Sequence, residues 1–352
     1  MNEPGTNLEA ARQEFYERIA GSHLTPLWSV LHDLVAPEPR SEMAACLWRW
    51  EKIRPFLLEA GGLITAKEAI RRALILENPS WPGESRITST LYAALQLILP
   101  GEIAPSHRHS QSALRFVMEG AGAFTAVDGE KTIMQVGDFV ITPTWTWHDH
   151  GNDSEEPMIW LDGLDIPIVY YMNASFSEQL DVDAQPLRRP AGDSPARYGS
   201  GLLPVDYEPA NPRVSPVFNY PYARTREALE QLSKTDDWDP CHGIKLKYVN
   251  PATGDYAMPT ISTFIQLLPT GFETTPYRSS DATVFVAVEG KGHSIIDGER
   301  FDWGPKDIFV LPTWKWVTHH ADEESVIFSY SDRVIQQKLS LWREQRGTEG
   351  GA

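Results

Sequence analysis

Hydrophobic residues near the start of the chain recur at the spacing of helices. Apolar positions return about every 3.6 residues over 8–20 and again over 41–60, which predicts two helices. A third helix is predicted from Thr65 to about Leu76, because Glu68 follows Thr65 at the spacing of a capping box. Asn78-Pro79 limits this helix, since the residue before a proline disfavours helical backbone.

From Thr88 the pattern becomes that of strands. Short apolar runs alternate with turn signals such as Asp128-Gly129, and the same pattern returns over 259–330. Between these regions, a stretch from Asp181 to Pro216 is rich in Pro, Gly, Asp and Arg and is predicted to be a linker. Two further helices are predicted, a short one over 225–234 and a terminal one over 333–346.

The two strand-rich regions repeat one another. Residues 117–122 (VMEGAG) correspond to 287–292 (AVEGKG), and residues 143–147 (PTWTW) correspond to 312–316 (PTWKW). Two further matches keep the same order, so the repeat indicates a duplicated domain. Four parts are predicted: a helical N-terminal segment (1–87), a first β-domain (88–180), a linker with a short helix (181–257), and a second β-domain with a C-terminal helix (258–352).

Composition and charge exclude several classes of protein. The chain is 41% hydrophobic and 22% charged, as globular proteins are, and no apolar run is long enough to span a bilayer. A formal net charge of −17 disfavours partners such as nucleic acid or an anionic membrane. Two cysteines, together with no visible secretory signal, predict a cytoplasmic protein.

Histidines are concentrated in the first β-domain. His107 and His109 are two residues apart in a strand pattern, so both rings are expected on one face, and His148 follows in a later strand. This arrangement predicts a metal site with three imidazole ligands; a set of polar or core histidines is the alternative. The ligand type leaves Fe, Zn, Cu and Ni open.

The spacing of these residues resembles the two motifs of the cupin family. Gly101, five residues and His107-x-His109 match the first motif, and Gly137, five residues and Pro143 match the second. The resemblance implies an all-β bicupin, made of two double-stranded β-helix (jelly-roll) barrels with a helical segment at each end.

The sequence departs from the cupin pattern at one ligand position. Many cupins carry a glutamate four or five residues after the second histidine, where this chain has Ala113 and Leu114. The expected ligand set is therefore three neutral histidines. A divalent metal held by them keeps its full charge and can accept a dianionic chelator.

Longer stretches resemble the gentisate 1,2-dioxygenase family. They are residues 64–72 (ITAKEAIRR), 107–116 (HRHSQSALRF), 145–152 (WTWHDHGN) and 160–165 (WLDGLD). The resemblance covers nearly the whole chain and implies a homotetrameric enzyme with one Fe(II) per chain. Such enzymes use O₂ to cleave gentisate, a small aromatic 2-hydroxycarboxylate, to maleylpyruvate in aromatic catabolism. Close relatives act on salicylate or 1-hydroxy-2-naphthoate, which remain alternative substrates.

Four residues are candidates for substrate binding. Arg115 is six residues after His109, so on a continuous strand it would share the ligand face and could bind a carboxylate; a structural salt bridge is the alternative. By resemblance, Arg115 falls on the family's substrate-binding arginine. Gln96 could donate to the substrate or be a sheet-edge glutamine. Arg71 or Arg72, on the third predicted helix, could close the pocket or lie on a solvated face.

Two residues are candidates for catalysis. His150 is expected on the same face as His148, where it could hydrogen-bond substrate or oxygen. Asp162 ends an apolar run and could bind a ring hydroxyl or orient His150. A structural histidine and a turn aspartate are the alternatives.

The second β-domain has lost the predicted ligands. His107, His109 and His148 correspond there to Tyr277, Ser279 and Val317, and His150 corresponds to His319. This set cannot form a stable divalent site, so the second barrel is expected to be structural or an oligomer interface. Without the family resemblance, the residues leave two other functions open. The protein could be a metal-dependent isomerase or hydrolase, or a bicupin that binds or stores a small molecule.

Overall fold

The computed structural model describes residues 4–207, 211–235 and 237–347. Within these ranges the chain forms twenty-two strands and eight helices, and no described helix is long and apolar enough to cross a membrane. A small N-terminal unit ends at Arg40 and contains α1 (Pro4–Ala20) and α2 (Leu27–Leu34). The predicted first helix is therefore confirmed, and every other element belongs to the unit that begins at Ser41.

The first barrel is built from two antiparallel sheets. In one sheet the strands are ordered β12-β8-β5-β10-β3-β2, and in the other β11-β4-β9-β6-β7. The first sheet contains β2 (Ala73–Ile75), β3 (Tyr92–Ile98), β5 (Ala113–Glu119), β8 (Phe139–Thr142), β10 (Met158–Leu164) and β12 (Asn219–Tyr220). The second contains β4 (Ile103–His109), β6 (Ala123–Val127), β7 (Glu130–Ile133), β9 (His148–Asn152) and β11 (Ser177–Gln179).

The second barrel repeats this architecture, which confirms the predicted bicupin fold. Its sheets have the orders β1-β19-β16-β21-β14-β13 and β18-β17-β20-β15-β22. The first contains β1 (Cys46–Trp48), β13 (Ile244–Lys247), β14 (Ser262–Leu268), β16 (Thr283–Glu289), β19 (Ile308–Leu311) and β21 (Ser325–Ser331). The second contains β15 (Tyr277–Ser279), β17 (Gly292–Ile296), β18 (Glu299–Trp303), β20 (Val317–Ala321) and β22 (Glu344–Arg346).

Helices in this unit are short and flank the barrels. They are α3 (Trp50–Leu63), α4 (Ala66–Ala69), α5 (Ile166–Tyr171), α6 (Asp193–Tyr198), α7 (Tyr222–Leu232) and α8 (Arg333–Lys338). Two predictions were partly wrong because strand pairing replaces helix. Residues 46–48 of the predicted second helix pair with β19, and residues 344–346 of the predicted terminal helix pair with β15.

The third predicted helix is much shorter than its sequence pattern indicates. Thr65 caps it as predicted, since its Oγ1 accepts a hydrogen bond from the backbone N–H of Glu68 at 3.1 Å. The helix nevertheless ends at Ala69, because Ile70 has a φ of 60° and the chain then pairs with β3 as β2. The two candidate arginines at 71 and 72 therefore lie in the turn between α4 and β2, not on a helix.

One hydrophobic core joins the two barrels. The outer face of β5 and β10 packs against the outer face of β16 and β21, and Phe116 stacks on Phe328 with their ring centroids 4.2 Å apart. Gly163 allows this close approach: a Cβ there would lie 2.9 Å from Leu114 Cγ and from Tyr330 Cε2. Each barrel also has a separate interior cluster of apolar side chains.

Gly163→Ala is expected to lower the free energy of unfolding by about 1–3 kcal/mol, because an added methyl group overpacks this interface. Urea denaturation would measure the change. Gly62→Ala is the matched control: it lies in α3, and the nearest atoms are more than 4 Å from the place an added methyl group would take, so it should stabilise the helix by about 0.5–1 kcal/mol. Equal effects of the two changes would show that the barrels do not pack tightly at Gly163.

Candidate metal centre and active site

Three histidines converge inside the first barrel. His107 and His109 lie on β4, and His148 lies directly opposite His107 on β9. Their ligand nitrogens all lie within 4.8 Å of one another. The intervening Arg108 points away, where it pairs with Glu178. The structure therefore brings together the three residues that the His-x-His spacing singled out.

Hydrogen bonds define which ring nitrogen of two of these histidines is free. Nδ1 of His109 lies 2.8 Å from the carbonyl oxygen of Gln111, and Nδ1 of His148 lies 2.9 Å from that of Thr146. A carbonyl only accepts, so each Nδ1 carries the proton and each Nε2 keeps its lone pair. Burial is the main cause that lowers the pKa of His107 to about 2 and that of His109 to about 4, so the rings are neutral at pH 7.

This set of donors fits a divalent metal ion. Nε2 of His148 is buried and has no hydrogen-bond partner among the described residues, which is costly unless a ligand uses its lone pair. Neutral imidazole is a ligand of Fe, Zn, Cu and Ni, and a carbonyl that accepts from Nδ1 is a common outer partner of metal-bound histidine. The three histidines could therefore hold a metal, with His107, His109 and His148 each offering one nitrogen.

Arg71 and Arg72 point in different directions from the turn after α4. Nη2 of Arg71 donates to the carbonyl of Pro105 at 3.0 Å and contacts the ring of His107. Arg72 is buried, and its guanidinium forms an ion pair with Glu102. Arg71 is thus the arginine beside the three histidines, while the Arg72–Glu102 pair anchors the turn that carries it.

Arg115 enters the barrel interior from the opposite sheet. It lies on β5 directly across from Asp162 on β10, and its Nε is 3.5 Å from Asp162 Oδ1. The assumption of one continuous strand from His109 was wrong, because residues 110–112 form a bend that leads into the other sheet. Arg115 is buried, and its Nε makes this ion pair without a hydrogen bond within the described chain. The structural salt bridge that the sequence left as an alternative is therefore present, beside the three histidines.

Both ring nitrogens of His150 are occupied by protein groups. Its Nε2 is 3.0 Å from Nη2 of Arg115, and its Nδ1 is 3.0 Å from Oγ1 of Thr125. A guanidinium only donates, so Nε2 accepts from Arg115 and Nδ1 donates to Thr125. His150 is predicted from the sequence to hydrogen-bond substrate or oxygen, whereas in the structure its partners are Arg115 and Thr125.

Asp162 and Gln96 face the interior from the same sheet as Arg115. Trp160 Nε1 donates to Asp162 at 3.0 Å, and burial raises the pKa of Asp162 to about 6, although the charge of Arg115 opposes the rise. Gln96 lies across from Trp160 on β3, so it shares this face. Because β3 lies between β10 and β2, Gln96 is not at a sheet edge.

Sequence reasoning missed the residues that hold these groups in place. Thr142 accepts from Arg115, Thr125 fixes His150, and Trp160 bonds Asp162. Only Trp160 carries a signal in the sequence, since it is two residues before Asp162 on one strand. The threonines depend on strand pairings that local sequence does not reveal.

The second barrel has the same strand arrangement as the first but lacks its three histidines. Tyr277 donates to Glu344 at 3.0 Å, and His319 is hydrogen-bonded to Ser294 at 2.7 Å. Within the described ranges, the only cluster of three or more His, Cys, Asp or Glu side chains that could hold a metal is the one in the first barrel.

Comparison with known proteins identifies the family. The cupin-domain family matches residues 94–164, which span the three histidines. The chain is 59% identical over 335 residues to gentisate 1,2 dioxygenase 1 of Aquipseudomonas alcaligenes, an alignment that covers 95% of this chain and 96% of that protein. The chain belongs to the gentisate 1,2-dioxygenase family. It is also 35% identical to 5-aminosalicylate 1,2-dioxygenase of Comamonas sp, over 98% of this chain and 92% of the relative.

The structure of this family member is also similar to a solved dioxygenase. Salicylate 1,2-dioxygenase of Pseudoaminobacter salicylatoxidans, in its adduct with gentisate, superposes with a TM-score of 0.88 at 33% identity, over 100% of this chain and 96% of that one. The family resemblance found in the sequence is confirmed. The chain is a ring-cleaving dioxygenase, and the hydrolase, isomerase and storage alternatives no longer apply.

Proposed function

We propose that this dioxygenase uses one Fe(II) per chain, held by His107, His109 and His148, to convert gentisate and O₂ to maleylpyruvate. One observation carries the proposal: three neutral imidazoles on one sheet face a buried arginine and a carboxylate on the opposite sheet. Gentisate presents a carboxylate and two ring hydroxyls, so it can use both kinds of partner. The similarity to a gentisate dioxygenase and to a dioxygenase solved with gentisate supports the same choice.

The choice of Fe(II) follows from the chemistry of the family. Imidazole ligands alone do not distinguish iron from zinc, copper or nickel. When bound, Fe(II) supplies the redox-active centre and the coordination positions that O₂ activation needs. The hydrogen bonds from His109 and His148 to backbone carbonyls would keep the ligand nitrogens oriented towards it.

Two arginines would bind and orient the substrate carboxylate. Arg115 lies buried on the sheet opposite the three histidines, where its Nε is ion-paired with Asp162 but makes no hydrogen bond within the described chain, and Arg71 lies beside His107. A guanidinium pairs with a carboxylate through charge-assisted bonds that fix the plane of the acid. His150 and Thr142 hold Arg115, so His150 acts as a positioning residue, and Gln96 could add a hydrogen bond from β3.

Asp162 would recognise the second ring hydroxyl. Its Oδ1 accepts a hydrogen bond from Trp160 Nε1 at 3.0 Å, and the second oxygen of the carboxyl group can accept a hydrogen bond from another donor. Because its pKa is raised to about 6, the group is mainly ionised at pH 7 and accepts a hydrogen bond from a hydroxyl. Salicylate lacks this hydroxyl and would leave that oxygen unpaired.

Oxygen uptake by iron-loaded protein tests the proposed function directly. The substrates to compare are gentisate, salicylate, 5-aminosalicylate and 1-hydroxy-2-naphthoate, with zinc-loaded protein as the negative control. Gentisate should give the highest kcat/KM, with maleylpyruvate as the product. Faster turnover of any of the other three acids would overturn the substrate assignment while leaving the dioxygenase class intact.

Asp162→Ala should narrow the ratio of kcat/KM for gentisate to that for salicylate. Loss of the hydrogen bond to the second hydroxyl is worth about 1–3 kcal/mol, or roughly 5- to 150-fold, and salicylate has nothing to lose there. Asp165→Asn is the matched control, because burial also raises the pKa of Asp165 to about 6 but its Oδ1 accepts from the backbone of Ser112. An unchanged ratio in Asp162→Ala would remove this residue from substrate recognition.

The remaining sequence predictions form part of the same proposal. We propose that the chain is organised as the N-terminal segment (1–87), the metal-binding barrel (88–180), the linker (181–257) and the metal-free barrel (258–352). The segment and the linker also supply sheet strands: β2 and β12 join the metal-binding barrel, and β1 and β13 join the metal-free barrel. We also propose a cytoplasmic homotetramer, and mass measurement of the intact protein in solution would test the tetramer.

A further inference from the structure

A second cavity lies at the mouth of the barrel that lacks the metal ligands. It has a volume of about 460 Å³, and its walls include His242, Lys245, Phe264 and Arg333. A smaller void shares these four side chains and continues inward to Tyr277 and other interior residues. Volumes of this size are typical of small-molecule sites.

One wall residue of this cavity can be compared directly with the first barrel through the strand register. Lys245 on β13 lies across from Gln266 on β14, as Ala73 on β2 lies across from Gln96 on β3. Gln266 and Gln96 are equivalent residues of the repeat, 170 positions apart. Lys245 therefore brings a positive charge to a position where the first barrel has alanine.

Two cations in this cavity lack a carboxylate partner. Among the described residues, Lys245 and Arg333 form no ion pair; Lys245 Nζ lies 5.0 Å from the ring centroid of Phe264, and Arg333 Cζ lies 3.9 Å from that of Trp342. Nε of Arg333 is buried and has no hydrogen-bond partner in the described chain. Both residues are partly buried. Withdrawing such cations from water without a counter-charge is unfavourable, so the pair is suited to receive an anion.

Two aspartates beside the cavity already have partners, and the exposed Asp237 also lines it. Asp239 pairs with Arg346 at 2.7 Å, and Asp281 accepts a hydrogen bond from Trp342 Nε1 at 2.8 Å. Burial, reinforced by the charge of Arg333, lowers the pKa of Lys245 to about 8, so this amine is still mainly protonated at pH 7.

We propose that this cavity binds a small aromatic carboxylate, with its anionic group between Lys245 and Arg333 and its ring against the aromatic wall formed by Phe264 and Tyr256. The two unpaired cations select the carboxylate, and the aromatic side chains select a ring over a small hydrophilic anion. The site uses no metal and does not depend on the proposed substrate of the first barrel.

Benzoate is a suitable probe because it carries the carboxylate and ring without the 2-hydroxyl needed for chelation. Isothermal titration of the iron-loaded protein should reveal a benzoate site that weakens at least about 10-fold in Lys245→Met and in Arg333→Met. Lys338→Met is the matched control, since Lys338 lies on the same helix as Arg333 but pairs with Asp255 outside the cavity. It should leave the affinity unchanged.

Three further readouts make the test specific. Benzoate should raise the melting temperature of the wild type more than that of Lys245→Met, and its affinity should fall above about pH 8, as Lys245 loses its proton. Acetate and inorganic phosphate should bind more weakly than benzoate.

Benzoate binding that is unaffected by both cavity variants would overturn the proposal, and equal binding of phosphate would overturn the aromatic specificity. Gentisate turnover tests the proposed function of the first barrel separately, so failure of the benzoate test would leave that proposal intact.

Discussion

His107→Ala is expected to remove the bound metal and the dioxygenase activity together. The change deletes one of three ligands from a cluster whose nitrogens lie within 4.8 Å of one another. Altering an outer partner of a metal-bound histidine typically costs 10- to 100-fold, so loss of a ligand should lower kcat/KM by more than about 100-fold. Metal analysis of the purified variant and oxygen uptake with gentisate would measure both effects.

His319→Ala is the control for this experiment. His319 is buried in the second barrel at the position that corresponds to His150, and it bonds Ser294 rather than belonging to the three-histidine cluster. The variant should keep one metal per chain. The assignment fails if His107→Ala still binds iron stoichiometrically, or if the wild type binds two metals per chain.

Arg115→Ala should weaken gentisate binding by roughly 10- to 150-fold while iron content stays the same, because a charge-assisted hydrogen bond contributes about 1.5–3 kcal/mol. The variant also removes the positive charge that opposes the rise in the pKa of Asp162, so that pKa should rise further. Anaerobic titration of the iron-loaded protein with gentisate would give the affinity without turnover.

Arg300→Met provides the comparison for Arg115→Ala. Arg300 is an exposed arginine of the second barrel that pairs with Asp302, so its loss should change neither iron content nor affinity. If Arg115→Ala binds gentisate as the wild type does, Arg115 is not a substrate-binding residue. A loss of iron in the same variant would instead assign Arg115 to the metal centre.

Local sequence was sufficient to predict that the three histidines converge and that the domain is duplicated. Side chains two residues apart in a strand lie on the same face, so the His-x-His spacing places both rings together without reference to distant residues. The internal repeat likewise identifies the second barrel without knowledge of its contacts. The failures all involve distant pairing. The capping box at Thr65 was correct, but it could not show that residues 73–75 would pair with β3 and end the helix early.

The same limit explains the errors around the substrate pocket. Arg115 faces the cluster from the opposite sheet, and His150 is committed to Arg115, so both roles depend on how two sheets meet. Arg71 and Arg72 are adjacent and identical, and only their partners distinguish them: Arg72 pairs with Glu102, and Arg71 contacts His107. The sequence therefore identifies these residues as candidates but does not show which side chains they contact.

The shared core between the barrels has a consequence for the history of the protein. Although the second barrel lacks the three histidines of the first, it covers the apolar outer face of β5 and β10 through Phe328 and Tyr330. Losing that barrel would expose the face to water and favour self-association of the active half. Natural selection can therefore retain the second barrel for the surface it shields, whatever residues occupy the positions that correspond to the three histidines.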